Sequence, residues 1–370
     1  MAKPTDLAAL ADLCKTTQTL LAHFQSSLAP TAPATPSTAG TTDAPGRLDL
    51  VKACTTLLKS HTTTLSLLLL TPPFTPSAIT SKIGDVSSGP LTGLVGAATS
   101  EPAPTLGTLM QAELRAQVRQ LLAAWGDAVA LILRLTEARQ RAQNETKSKA
   151  ADKGPTESER QAVLSATGVV WEACDALVGL CDGGIAGLAV TKAHEWRSVL
   201  LDAVQELHEW GDDVANEEEE AERSDGGLSD QDDEIFGPAN KLRAEDRELK
   251  SLLDKSVKKL KMIGMLYQAL IKRRLKPFPT LPISSSTKAS STPIANLEEL
   301  MALLKSIPDH VDDLASAFYD LDEEEAKSTL EESCQRAKAA VTLVKQSWTG
   351  TDDEFTAWSA RWVDALEAAP

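Results

Sequence analysis

The sequence predicts an all-α protein, built of long antiparallel helices that form helical bundles in two halves joined by an acidic linker. Three observations predict it. Aromatics make up only 4% of the 370 residues, while Ala, Leu, Glu and Lys abound, a composition that favours helix over sheet. Apolar residues recur at three- and four-residue steps over long stretches, and no period-two alternation marks a strand. Finally, Asp212–Glu234 holds twelve carboxylates against one arginine, Arg223, and Lys241–Lys276 then carries twelve Lys/Arg against four Asp/Glu. A block as acidic as the first repels itself and buries little, so it is expected to stay solvated and disordered.

In chain order, Thr5–Ser27 has Leu7, Leu10, Cys14 and Leu20–Leu21 near helical spacing, and Ala29–Pro45 reads as a flexible Pro/Thr/Ala linker. A second helix spans about Leu48 to Leu70 and stops at Thr71–Pro76, because proline lacks the amide donor and restricts the residue before it. Ile79–Ala98 is left open, its glycines and serines weakening a helix. Leu114, Val118, Leu121, Trp125, Val129 and Ile132 form one apolar stripe of the next helix. Pro155-Thr156-Glu157 opens another, with Val163, Val170, Cys174, Leu177 and Cys181 on one face and Asp182-Gly183-Gly184 as its stop. Ala189, Ala193, Trp196, Leu200, Ala203, Leu207, Trp210 and Val214 then alternate threes and fours, the spacing of a seam between packed helices.

Beyond the acidic block, Leu249, Leu253, Leu260, Ile263, Tyr267 and Leu270 define a basic helix, followed by a Pro/Ser/Thr linker at 277–293. Three more helical patterns close the chain. One is Leu297–Lys305 with Pro308 and then Val311, Leu314 and Phe318; the next carries Leu330 to Trp348. The last has Phe355, Trp358, Trp362 and Leu366 behind the N-cap signal Thr351-Asp352-Asp353. The predicted divisions are 1–47 (helix and linker), 48–216 (N-terminal bundle), 217–240 (acidic hinge) and 241–370 (C-terminal helical region).

The net charge of −16 opposes a non-specific grip on nucleic acid and adhesion to anionic lipid. Five cysteines with no CxxC pair predict a reducing setting rather than a disulfide scaffold. The start MAKPTDLAALADLC has no signal-peptide features. The longest apolar run, Leu65–Leu70, is about a third of the roughly 20 residues a membrane span needs. The expectation is a soluble intracellular protein.

Chemistry is sparse. His194-Glu195 begins like a zincin motif, but Ser198 stands where the second histidine would be. Cys174 and Cys181 sit two turns apart, roughly 10 Å along a helix, too far for a disulfide, and read as core. No phosphate loop, nucleophile elbow or kinase signature occurs. No catalytic, cofactor-binding or metal-binding residues are nominated, and a non-enzymatic protein is expected. The basic run Lys272, Arg273, Arg274 and Lys276 reads as a solvated face, as a candidate nuclear import signal, or as a partner for the chain's own acidic block. Ser224 and Ser229, set among acids, are candidate phosphorylation sites.

Several segments in shared order carry a resemblance. The acidic run from Ser229 reaches Ile235-Phe236-Gly237-Pro238, and a second acidic patch, Glu245–Leu249, opens a helix. Ser256–Leu266 (SVKKLKMIGML), Val169–Cys174 (VVWEAC), His310–Ala315 (HVDDLA) and the Thr/Leu helix Thr62–Phe74 ending in prolines accompany it. Together these resemble the GCIP or cyclin-D-binding proteins, over about Leu48–Leu366. The resemblance implies an all-helical, non-enzymatic regulator of cytoplasm and nucleus. Such proteins bind D-type cyclins and helix-loop-helix factors, restrain cell-cycle progression, and lack a DNA-binding basic region. The amphipathic helices suit helix-in-groove binding, but no residue marks a cyclin site. Two rival readings stay open: a vinculin-like bundle scaffold with a cytoskeletal partner, and an enzyme with an unrecognised site of converging ionisable groups.

Overall fold

The structure, a computed structural model, describes residues 4–30, 44–101, 106–145, 154–221, 242, 246–279 and 293–369. All its regular elements are helical. The chain divides into two compact units, Met1–Ile185 and Ala186–Pro370. Most of the acidic hinge and of the two predicted linkers, and both Ser224 and Ser229, lie outside the described residues.

Unit 1 contains α1 (Pro4–Ser27), α2 (Ala44–Leu70), α3 (Pro76–Ser88), α4 (Pro90–Thr99), α5 (Gly107–Glu145) and the start of α6 (Glu157–Ala221). α1 lies along α5 and against α3, burying Leu7, Leu10, Cys14 and Leu21. It is therefore part of the bundle, not a separate N-terminal helix as the 1–47 division expects. α5 buries the stripe its spacing predicts, Leu114 to Ile132. Each such side chain stabilises the core by about 1.5–3 kcal/mol.

The stretch left open in the sequence is two helices, each begun by a proline at its first turn, with Gly89 between them. Packing overrides propensity here. α4 comes so close to α2 that a Cβ on Gly93 would lie 2.6 Å from Cys54 Sγ, so its glycine is required for contact.

In α6 the backbone leaves helical geometry at Gly184 (φ 56°, ψ −161°), a conformation open to glycine and costly to other residues. The predicted stop at Asp182-Gly183-Gly184 is thus a real break, and it is also where the units divide. The division falls there instead of at residue 216, because the seam beyond Gly184 is built into the C-terminal unit. By length and composition Glu157–Asp212 is apolar enough to cross a membrane, with a window of mean hydropathy 1.5. Its heptad Val163, Thr167, Val170, Cys174, Leu177 and Cys181 is buried within unit 1.

Unit 2 contains the rest of α6, then α7 (Arg247–Leu270), a π-helical turn Ile271–Leu275, α8 (Pro293–Tyr319), α9 (Glu323–Leu343) and α10 (Glu354–Ala368). α6 buries Leu200, Leu207 and Trp210 and runs antiparallel to α7, Gly211 meeting Leu253 and Leu201 meeting Gly264. Arg197 donates to the Gly264 carbonyl at 3.0 Å in the same contact. A Cβ on Gly264 would stand 3.0 Å from Leu201 Cδ2, so any side chain there would have to push the leucine aside. Replacing Gly264 by leucine is expected to cost about 1–3 kcal/mol by overpacking, read as a lower urea midpoint. An unchanged midpoint would show that the contact is not tight.

Pro308 lies inside α8 and removes the amide that would bond the Leu304 carbonyl one turn earlier. The buried Tyr267 hydroxyl of α7 donates to that carbonyl instead. Burial pushes the Tyr267 phenol up, so it remains a donor at any physiological pH. One α7 side chain thereby lets α8 run through its proline as a single helix.

Candidate interaction surface

Two ion pairs set the register of α2 against α6. Lys52 pairs with Asp182, and Lys59 with Asp175. The sums of these positions match, so the two helices are antiparallel at this contact. Beneath them lies the buried heptad of α6. Burial pushes the thiols of Cys174 and Cys181 up to about 12 and about 11, so both stay protonated at neutral pH and act as small apolar fillers. His194 is exposed.

On the outer side of the same contact sit three large apolar side chains. Leu67 of α2 is 60% exposed, and Leu164 and Trp171 of α6 are 52% and 38% exposed. Leu164 and Trp171 are seven residues apart and so share a helix face. The register places Leu67 within a turn of Leu164. The Lys59 ammonium lies 5.7 Å from the centre of the Trp171 ring, and Asp175 holds it there. The indole is therefore oriented yet partly open, with basic and acidic groups at its rim. A fixed aromatic on one helix face with Leu164, near Leu67 of the adjoining helix, has the composition of an interface anchor. The Thr/Leu helix and the VVWEAC step, distant in sequence, meet at this surface.

The basic run of unit 2 separates on inspection. Lys272, Arg273 and Lys276 are exposed, and Arg273 pairs with Glu354. Arg274 is 1% exposed and belongs to the core, so it is withdrawn from the exposed basic run read as an import signal. Its guanidinium donates to Asp353 through both terminal nitrogens, at 2.7 and 2.9 Å. It also donates to the carbonyls of Val344 (2.7 Å) and Lys345 (2.9 Å), just past the end of α9, and lies 4.3 Å from the Phe355 ring centre.

Asp353 is meanwhile the N-cap of α10, in a capping box with Thr356. Trp348 donates its indole N–H to the Arg274 carbonyl at 2.7 Å and packs edge-on against Phe278. Arg274 thus satisfies the open carbonyls of one helix end and the acid that starts the next helix, each charge favoured by the helix dipole it faces. The hydrogen bonds from Arg274, ahead of that from the Thr356 amide, hold the Asp353 carboxyl at about 2, below the ordinary carboxylate range.

The described residues are helical and hold an ordered aromatic at an apolar surface strip, a surface suited to contact with another protein. The chain's N-terminal part, residues 50–213, matches the N-terminal region of the Grap2 and cyclin-D-interacting (GCIP) proteins, and residues 228–341 match their C-terminal region. The chain belongs to this family, an interaction-protein family. The two matched regions adjoin at the acidic segment, while the compact units divide at Gly184. The chain is also similar to an uncharacterized protein of Schizosaccharomyces pombe, 23% identical over 322 residues, covering 86% of this chain and 84% of that one.

Proposed function

We propose that this chain is a non-enzymatic regulator that binds D-type cyclins or helix-loop-helix factors in cytoplasm and nucleus. Through them it restrains cell-cycle progression or transcription. The family's description supports the partner class. The observation that carries the mode of binding is the exposed strip of Leu67, Leu164 and Trp171, which suits the apolar face of a partner helix. Phosphorylation of Ser224 or Ser229 would add charge to an already acidic segment and adjust that binding. Lys272, Arg273 and Lys276 remain the candidates for recognition by an import receptor.

The test is titration of the full chain with a D-type cyclin and, separately, with a helix-loop-helix factor, followed by calorimetry. Trp171→Ala is expected to weaken the complex by about 2 kcal/mol, roughly thirtyfold in Kd, with little change in unfolding because the ring is partly exposed. Binding that survives both Trp171→Ala and Leu164→Ser would move the interface elsewhere. Failure of both partner types to bind would overturn the partner class.

A further inference from the structure

The outward face of α7 and of the π-helical turn after it carries more cations than acids. Arg247, Lys258, Lys261 and Lys272 are all exposed and follow one another at helical spacing, with Met265, 51% exposed, in the same row. Asp254 is the acid in that row. Among the described residues none of these four cations forms an ion pair, whereas Lys52, Lys59, Lys82 and Lys338 each do. Lys258 and Lys261 are like charges three residues apart, a pair that destabilises a helix unless counter-charge covers it, and Asp254, four residues before Lys258, offers a single carboxylate.

The same chain carries that counter-charge immediately before α7. We propose that this face is the docking surface for the chain's own acidic segment, residues 222–234, held by charge complementarity around the exposed Met265. The carboxylates of Glu222, Asp225, Asp230, Asp232, Asp233 and Glu234 supply the charge.

Reach is sufficient. The thirteen steps from Glu234 to Arg247 span up to roughly 45 Å when extended. The row from Arg247 to Lys272 is about 38 Å long at 1.5 Å per residue. A tethered segment also acts at an effective concentration of order mM, which favours it over a free acidic partner or nucleic acid. Docking of this kind is independent of the partner strip in unit 1.

Amine-reactive footprinting of the full chain tests this. In about 10 mM salt, where the Debye length is about 30 Å, Lys258, Lys261 and Lys272 are expected to label roughly threefold more slowly than in a variant carrying Asp230→Asn, Asp232→Asn, Asp233→Asn and Glu234→Gln. The difference should vanish in about 1 M salt, where the Debye length is about 3 Å, and exposed Lys327 should label alike throughout. Equal rates in both proteins, together with no effect of salt on the unaltered chain, would overturn the proposal. Carbodiimide crosslinking of mixed ¹⁵N and ¹⁴N chains separates the alternatives. Crosslinks between these lysines and the acidic segment within one chain support the proposal, and hybrid crosslinks assign the face to a second copy and overturn it.

Discussion

Replacing Arg274 by alanine is expected to destabilise unit 2 by about 3 kcal/mol, the lower part of the range for breaking a buried ion pair. The lower figure applies because the Asp353 side chain, at 35% exposure, can recover some solvation once its partner is gone. What it cannot recover is the environment of the Val344 carbonyl, which loses the Arg274 donor, while the Lys345 carbonyl is left with the Thr356 hydroxyl alone. Lysine should not rescue the loss, since a single ammonium cannot span a bidentate carboxylate, two carbonyls and the Phe355 face.

Urea unfolding followed by tryptophan fluorescence reads this well, because Trp348, Trp358 and Trp362 all lie near the Arg274–Asp353 contact or on α10. Acid sharpens the test. Asp353 has a folded pKa depressed to about 2, so its contribution is complete above its unfolded pKa of about 3.9 and is lost as pH falls through about 2. The Arg274→Ala protein should lack most of that acid-dependent component. If the variant unfolds at the wild-type midpoint with the same acid dependence, the contact is an ornament of the surface and not a core element.

Arg274 also shows where the sequence stops being legible. In Lys272–Lys276 it is one cation among four, and local pattern treats all four alike. Its burial depends on Asp353, 79 residues away, and on carbonyls at the end of another helix, none of which has a periodicity to betray it. By contrast, the stripes of α5 and α6 were readable because each repeats one physical fact, a helix face against a core. The cap at Asp353 was readable for the same reason, being local chemistry.

The unit boundary occupies the middle ground. The glycine break at Gly184 is visible in sequence, but the far stronger charge change after residue 212 draws attention away from it. Which side of the break a helix packs on is a tertiary fact. The interaction strip was half visible. The segments that bear Leu67 and Trp171 carry the family resemblance, yet it takes tertiary contacts such as the Lys52–Asp182 and Lys59–Asp175 pairs to reveal that they lie side by side.

Trp125→Ala is expected to be the most damaging single change in unit 1, at about 3–5 kcal/mol, and to take partner binding with it. The ring is 1% exposed and sits on α5 beneath the α2–α6 contact. Around it a cavity of about 20 Å³ is lined by Leu65, Ser66 and Leu69 of α2 and by Val163, Ala166 and Thr167 of α6. Those are the same helical turns that carry Leu67 and Leu164 on the outside. Removing the indole enlarges an existing void, and α2 and α6 must then shift toward it or leave it unfilled.

Trp125→Phe provides the control. The Trp125 indole N–H has no hydrogen-bond partner among the described residues, so phenylalanine gives up no hydrogen bond and loses only part of the packing, at a cost of about 1 kcal/mol. The expected order in thermal unfolding is wild type, then Phe, then Ala far below, with affinity for the partner following the same order. Phenylalanine proving as costly as alanine would mean that the indole N–H is satisfied after all. Full affinity in a folded alanine variant would separate the strip from the core under it and place the partner on another face.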